Sequence, residues 1–290
     1  MSEIVYISGH LCEARNKDGF YGKRVFEELS LIPEIQLKNL DTKNVWCRDY
    51  MPVKTASGKY VQFTYHPRYM VGDKYKDNFP DTAIFLKDFN LEWVTPKKQI
   101  ILDGGAIEIH GKKGIVSDRV FRDNLNRNEA EIYNDLKTLL ELDQLIVIPQ
   151  YPYDFTGHVD GLVRFIDDNR VVVNDLKKEL EEAQKDKNRY RKQLIENWIY
   201  AFKSSLLNAG LQKVELPTSI PEESPPSSGE GIYTNFLLLE DLIVMPVYGK
   251  KEDKIAADRL SNLYSKIVKT VNAKALSQMG GMINCVTWTK

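Results

Sequence analysis

The chain has 290 residues, 42% of them hydrophobic and 28% charged, with a formal net charge of −1. That length fits one large domain or two ordinary ones of globular composition. The near-neutral balance gives no field to attract nucleic acid, and apolar runs such as Leu237-Leu238-Leu239 are too short to cross a bilayer, so neither partner is expected.

In chain order, Met1-Ser2-Glu3-Ile4 lacks the basic and apolar regions of a secretory signal. Ile4–Ser8 reads as a buried strand and Tyr21–Leu29 as a short amphipathic helix. Gly58–Tyr65 alternates like a two-faced strand, Pro67–Asp81 reads as an exposed loop, and Glu92–Val94 and Gln99–Leu102 as strands. Ala106–Ser117 has a hairpin pattern, Asn128–Leu142 a helical one and Leu145–Pro149 that of a buried strand. A second hairpin is expected over Leu162–Ile166 and Arg170–Val173. One long helix follows over Leu176–Asn208, its first half solvated and its second half packed, with Gly210 as its cap. The solvated half is the surface offered for self-association into a homo-oligomer. Lys213–Leu216 reads as a strand, Pro217–Gly231 as a flexible segment able to act as a lid, and Ile232–Leu239 with Leu242–Val247 as a third hairpin. A helix is expected over Lys251–Val271, with Ile255, Leu260, Leu263 and Ile267 facing inward, and a last strand carrying Cys285. The recurring unit is hairpin, helix, strand. It appears around Ala106–Ile148, Leu162–Leu216 and Ile232–Cys285, with shorter versions earlier, so a closed ring of ββαβ modules fits better than one open sheet.

Cys12, Cys47 and Cys285 are an odd set without a CxxC pair, which points to reduced thiols in the cytoplasm and away from disulfides or structural zinc. No glycine-rich turn matches a nucleotide loop. The chemistry-bearing stretches are Trp46-Cys47-Arg48-Asp49, Asp103-Gly104-Gly105, His158-Val159-Asp160 and Gly280–Trp288 around Cys285. In an extended segment, His158 and Asp160 point to one face. Together these stretches supply a thiol, a histidine and three carboxylates, a set able to activate a cysteine and hold a cation before it. A cysteine hydrolase of the amidase type would use Cys285 and His158 but has no need of extra carboxylates, which raise a thiol's pKa when no cation is bound.

WCRDYMP (Trp46–Pro52), DGGAIEI (Asp103–Ile109), GHVDGLVRF (Gly157–Phe165), YTNFLLLEDLIVMPVYG (Tyr233–Gly249) and GGMINCVTW (Gly280–Trp288) together resemble the agmatine deiminase and bacterial-type peptidyl-arginine deiminase family of guanidino-modifying enzymes. The resemblance runs from about residue 45 to the end. It implies an α/β fold, a five-bladed pseudo-symmetric α/β propeller (pentein), as a single catalytic domain over residues 1–290 with the site at its centre. It also implies a role in polyamine biosynthesis, a small guanidino substrate or arginine side chain as partner, and no metal or organic cofactor. Carried over, Cys285 is the nucleophile, His158 the acid and base, Asp49 and Asp160 the guanidinium clamp, and Asp103 the residue that orients His158. Trp46 and Arg48 complete the substrate-binding set, with Arg48 holding the aspartates. Met51, Asp103 and Asn284 stand where the family usually has glycine, glutamate and histidine. Dimethylarginine hydrolysis and amidino transfer would share all these residues. A non-catalytic propeller, such as the ribosome-binding factor of this fold, would have no reason to keep them.

Overall fold

The computed structural model describes residues 2–290 except 71, 73, 74, 76, 77, 90, 186, 187 and 220–227. Its described residues form five three-stranded sheets and a small two-stranded one, Arg15–Asn16 with Gly19–Phe20. Each three-stranded sheet has one antiparallel and one parallel pairing. Ile107–His110 runs antiparallel to Lys113–Ser117, which lies parallel to Gln144–Ile148 after the helix Glu129–Leu139. Val163–Phe165, Arg170–Val173 and Gln212–Glu215 repeat the order, as do Leu237–Leu238, Leu242–Val247 and Ile267–Asn272. Val53–Lys54, Tyr60–Val61 and Trp93–Val94 make the shortest version. The parallel step needs a crossover, which the helices between these strands supply.

The fifth sheet joins the two ends of the chain. Glu3–Ser8 lies parallel to Ile35–Leu40 and antiparallel to Trp288–Thr289, with Tyr6 opposite Trp288. Trp288 is buried against the rings of Tyr6, Tyr60 and Phe89, and its indole N–H donates to the Pro52 carbonyl at 2.9 Å. The expected third repeat therefore ends at Asn272, and the Cys285 stretch belongs with the N-terminal strand.

Other expectations change as well. The helix expected to Val271 stops at Tyr264, where Ser265 takes a left-handed conformation; the β-branched run Ile267–Val271 then pairs as a strand. Ala256 and Leu260 face the core there, while Ile255 and Ile267 are exposed. The long helix over 176–208 is two, Leu176–Lys185 and Arg189–Asn208. Asn188 caps the second by accepting from the N–H groups of Tyr190 and Arg191. Only Leu176 of the first is buried, whereas Ile195, Trp198, Ile199, Phe202 and Leu206 of the second pack inward. Gly210 does sit at φ +74° beyond that helix. Pro67 and Met70 are buried, so the expected exposed loop turns partly inward. Gln99–Leu102 contributes only an isolated bridge from Ile101 to Thr64. Cys285 lies in a turn, not a strand: Thr287 closes it by donating its hydroxyl to the Ile283 carbonyl at 2.8 Å. No described helix is long and apolar enough to cross a membrane.

Candidate active site

Four separate chain segments meet at one point. The short helix Cys47–Tyr50 brings Asp49, and its Arg48 N–H donates to the Cys285 carbonyl at 3.2 Å, tying it to the C-terminal turn. Gly105 is the hub. Its N–H donates to Asp49 Oδ1 at 3.2 Å, and its carbonyl accepts from the N–H groups of Val159 at 2.8 Å and Asp160 at 3.3 Å. A Cβ there would lie 2.7 Å from His158 Nδ1 and 2.8 Å from Asp49 Oδ1, so only glycine admits both side chains. Gly281 plays the same part beside Trp46, whose ring a Cβ would meet at 2.3 Å.

A cavity of about 520 Å³ opens on this point and is lined by Cys285, His158, Asp160, Asp49 and Trp46. Tyr65, Tyr69, Tyr151 and Phe155 make much of its remaining wall. Asp103 stands behind His158, off the cavity wall, with its Oδ2 3.2 Å from His158 Nε2. On the other side of the ring, His158 Nδ1 is 3.7 Å from Asp49 Oδ1. The Cys285 sulfur lies 3.9 Å from Asp160 Oδ2 and 3.4 Å from Asn235 Oδ1. His158 and Asp160 share the cavity, although their segment is a turn and not the extended stretch expected.

Arg48 differs from the expectation for a substrate-binding residue. Its side chain turns away from Cys285, donates from Nε to the Asn284 carbonyl at 3.4 Å and lines a second cavity. The Pro217–Gly231 lid is only partly in view. Residues 220–227 lie outside the described residues, while Ser228 and Gly229 line the first cavity. Residue reasoning passed over Tyr69 and Asn235. Tyr69 donates its hydroxyl to Asp103 Oδ2 at 3.2 Å; Asn235 Oδ1 accepts from the Asn284 N–H at 3.1 Å as well as facing the thiol. Asn235 was legible only as the third letter of YTN, and Tyr69 had no signal in its polar, aromatic loop.

The electrostatics follow from burial and crowding. Burial would lower the pKa of His158, but Asp49, Asp103 and Asp160 outweigh it and hold the ring protonated well above the ordinary imidazole range. Burial raises the Asp49 carboxyl despite the attraction of His158, and Asp103 and Asp160 push the same way. Burial, then Asp160 and Asp49, push the Cys285 thiol well above its ordinary value. Three carboxyl groups around one imidazole leave surplus negative potential in a dry pocket, the complement of a planar cation. Among the described residues, no group of three or more His, Cys, Asp or Glu side chains is arranged to hold a metal ion.

The three departures have local explanations. Met51 is buried in the aromatic cluster of Tyr6, Tyr50, Tyr60 and Trp288. Asn284 donates from Nδ2 to Asp160 Oδ2 at 2.8 Å, so an N–H donor still serves that carboxylate. Asp103 reaches His158 despite its short side chain, but its Oδ1 is buried without a hydrogen-bond partner.

The sequence profile of the Porphyromonas-type peptidyl-arginine deiminases matches residues 11–290. The chain belongs to that family. A provisionally named agmatine deiminase of Mycoplasma capricolum is 24% identical to this family member over 214 residues, 66% of this chain and 57% of that protein. The matched stretch thus spans a little over half the length of that relative. Among solved structures, the C. jejuni agmatine deiminase superposes with a TM-score of 0.70 at 21% identity, covering 100% of this chain and 93% of that one. The agmatine deiminase of Enterococcus faecalis gives 0.74 at 18% identity with the same coverages. At such identities the likeness shows the fold: this deiminase-family chain has the mixed α/β fold of those enzymes.

Proposed function

We propose that this chain hydrolyses the guanidinium group of agmatine, or of a related arginine derivative, to a ureido product and ammonia. The observation that carries the reading is the meeting of Cys285, His158, Asp49 and Asp160 in one buried cavity. Asp49 and Asp160 accept the guanidinium N–H groups and set its central carbon before Cys285. The bound cation reverses the field that holds the thiol protonated, and the thiol proton leaves to solvent. The thiolate attacks the carbon, His158 protonates the departing nitrogen, and ammonia leaves a thiouronium on the cysteine. His158 then takes a proton from water as it attacks, and collapse of that adduct returns the thiolate and releases the ureido product. Asp103, with Tyr69 behind it, holds His158 in line. The protein's own groups supply every step of this route.

The proposal includes a single domain over residues 1–290 whose five units close around the cavity as a five-bladed propeller. Five sheets of one internal order, and terminal strands that pair with each other, support it. It also includes a cytoplasmic location, where the thiol stays reduced. Agmatine is favoured over free arginine because the described cavity lining holds no lysine or arginine to pair with a carboxylate. Peptidyl arginine is the second reading, favoured by the family's own description. The test is ureido-product formation from agmatine, free arginine and a blocked arginine peptide, with Cys285→Ser as control. Turnover of agmatine that the variant abolishes is expected. Turnover of the peptide alone selects the second reading, and turnover retained by the variant removes the covalent route.

A further inference from the structure

A second cavity, of about 330 Å³, lies away from Cys285 and is lined by Arg48, Lys54, Glu108, Arg164 and the residues around them. Its charges do not balance. Glu108 is its one carboxylate among the described residues, and it is taken by Arg164, whose Nε stands 2.9 Å from Glu108 Oε1 with both side chains largely buried. Arg164 also donates from Nη1 to the Phe236 carbonyl at 2.6 Å, and its guanidinium lies over the Phe236 ring, so the group is fixed in place. Arg48 makes no ion pair among the described residues. Its Nε is held by the Asn284 carbonyl, the one side-chain hydrogen bond Arg48 makes among the described residues. Burial lowers the pKa of Arg48, and the neighbouring Arg164 guanidinium pushes the same way. Lys54, exposed at the rim, adds a third cation without a carboxylate.

Like charges are brought together in a partly buried cavity at a cost, unless something neutralises them. Glu108 answers one of the three. Asp160 attracts Arg48, but from the far side of the Asn284 segment, where it faces Cys285. What remains on the cavity side is the guanidinium N–H donors of the two arginines and the Lys54 ammonium, which rests over the Tyr60 ring at 5.9 Å, the donor set that suits a tetrahedral oxyanion. We propose that this second cavity binds a phosphate group, held between the guanidinium groups of Arg48 and Arg164 with the Lys54 ammonium at its rim. The site is separate from the guanidine chemistry and does not depend on it. It stands next to that chemistry, because Asn284 gives its carbonyl to Arg48 and its side-chain amide to Asp160.

The test is calorimetric titration of the whole chain with inorganic phosphate and, separately, with glycerol 3-phosphate, in wild type and in Lys54→Glu. Lys54 is exposed, and its ammonium lies 5.9 Å from the centre of the Tyr60 ring, so the reversal removes that contact without replacing a buried side chain. Saturable binding of at least one ligand is expected, weakened by about tenfold or more in the variant as one charge-assisted contact is lost and a repulsion gained. Ureido-product formation without phosphate should be unchanged by the variant. Binding of inorganic phosphate alone identifies the free ion as the ligand, and binding of the ester alone identifies a phosphorylated metabolite. No saturable heat from either ligand at millimolar concentration, or equal affinity in wild type and Lys54→Glu, overturns the site.

Discussion

The sulfur of Cys285 lies 3.9 Å from Asp160 Oδ2, a thiol set against a carboxylate. Burial and that charge together push the thiol's pKa well above its ordinary value. The arrangement stores selectivity, since only a ligand that brings its own positive charge lowers the thiol's pKa at the moment of attack.

Cys285 is therefore expected to react slowly with neutral iodoacetamide at neutral pH and much faster with a cationic haloacetamidine. Asp160→Asn should raise the iodoacetamide rate by about tenfold for each unit by which the thiol's pKa falls, while abolishing turnover. The two effects have opposite signs, and mass-resolved labelling kinetics read the first. An iodoacetamide rate that fell with Asp160→Asn would contradict the electrostatic account.

Gly105→Ala places a methyl group between His158 and Asp49, at 2.7 Å and 2.8 Å from their nearest atoms. The fold should survive, because the new carbon meets side chains and not backbone. Turnover should fall by about 10²-fold as both groups are displaced. Circular dichroism beside steady-state kinetics checks this, and a native spectrum with native kcat/KM would remove Gly105 from the centre of the site.

The His158 proton links pH to both stability and rate. Its folded pKa is raised, so its stabilising contribution is fully present below the ordinary imidazole value and is lost as pH rises through the raised one. Chemical denaturation of wild type should accordingly weaken on the alkaline side, and His158→Gln should flatten that decline. The proposed route needs the protonated ring for ammonia departure, so the alkaline limb of the rate profile should move to lower pH in Asp103→Asn. An unmoved limb would mean that Asp103 does not support the imidazolium.

Trp288→Ala removes a buried indole from the ring cluster that joins the last strand to the first and to Pro52. A loss of about 3–5 kcal/mol in unfolding free energy is expected. Urea denaturation measures it. A loss below about 1 kcal/mol would mean that the terminal strand does not hold the ends of the chain together.

Asn235→Ala removes the acceptor shared by the Cys285 sulfur and the Asn284 N–H, and the loss should appear in kcat more than in KM, because the residue positions the thiol. A change confined to KM would place Asn235 in substrate binding.

Local pattern carried much of this protein by itself. Turn residues between short apolar runs marked the hairpins at 106–117 and 162–173, and the 3.6-residue period marked the helix at 128–142, which buries Ile132 and Leu136 on one face. The ordered motifs pointed to Cys285, His158, Asp160, Asp49 and Asp103, and the structure gathers the first four at one cavity with Asp103 beside His158. Tertiary structure decided the rest. That Trp288 pairs with Tyr6, at the other end of the chain, depends on the two chain ends meeting in one sheet and leaves no local trace. The break at Ser265 needed a parallel partner strand to draw Ile267–Val271 out of the helix. Arg48, one residue from Asp49, faces the other cavity because a single helical turn sends adjacent side chains apart, and spacing alone cannot tell which cavity lies on which side. Gly105 reads as a turn glycine in the sequence. Only in space does it become the point that His158 and Asp49 both need empty.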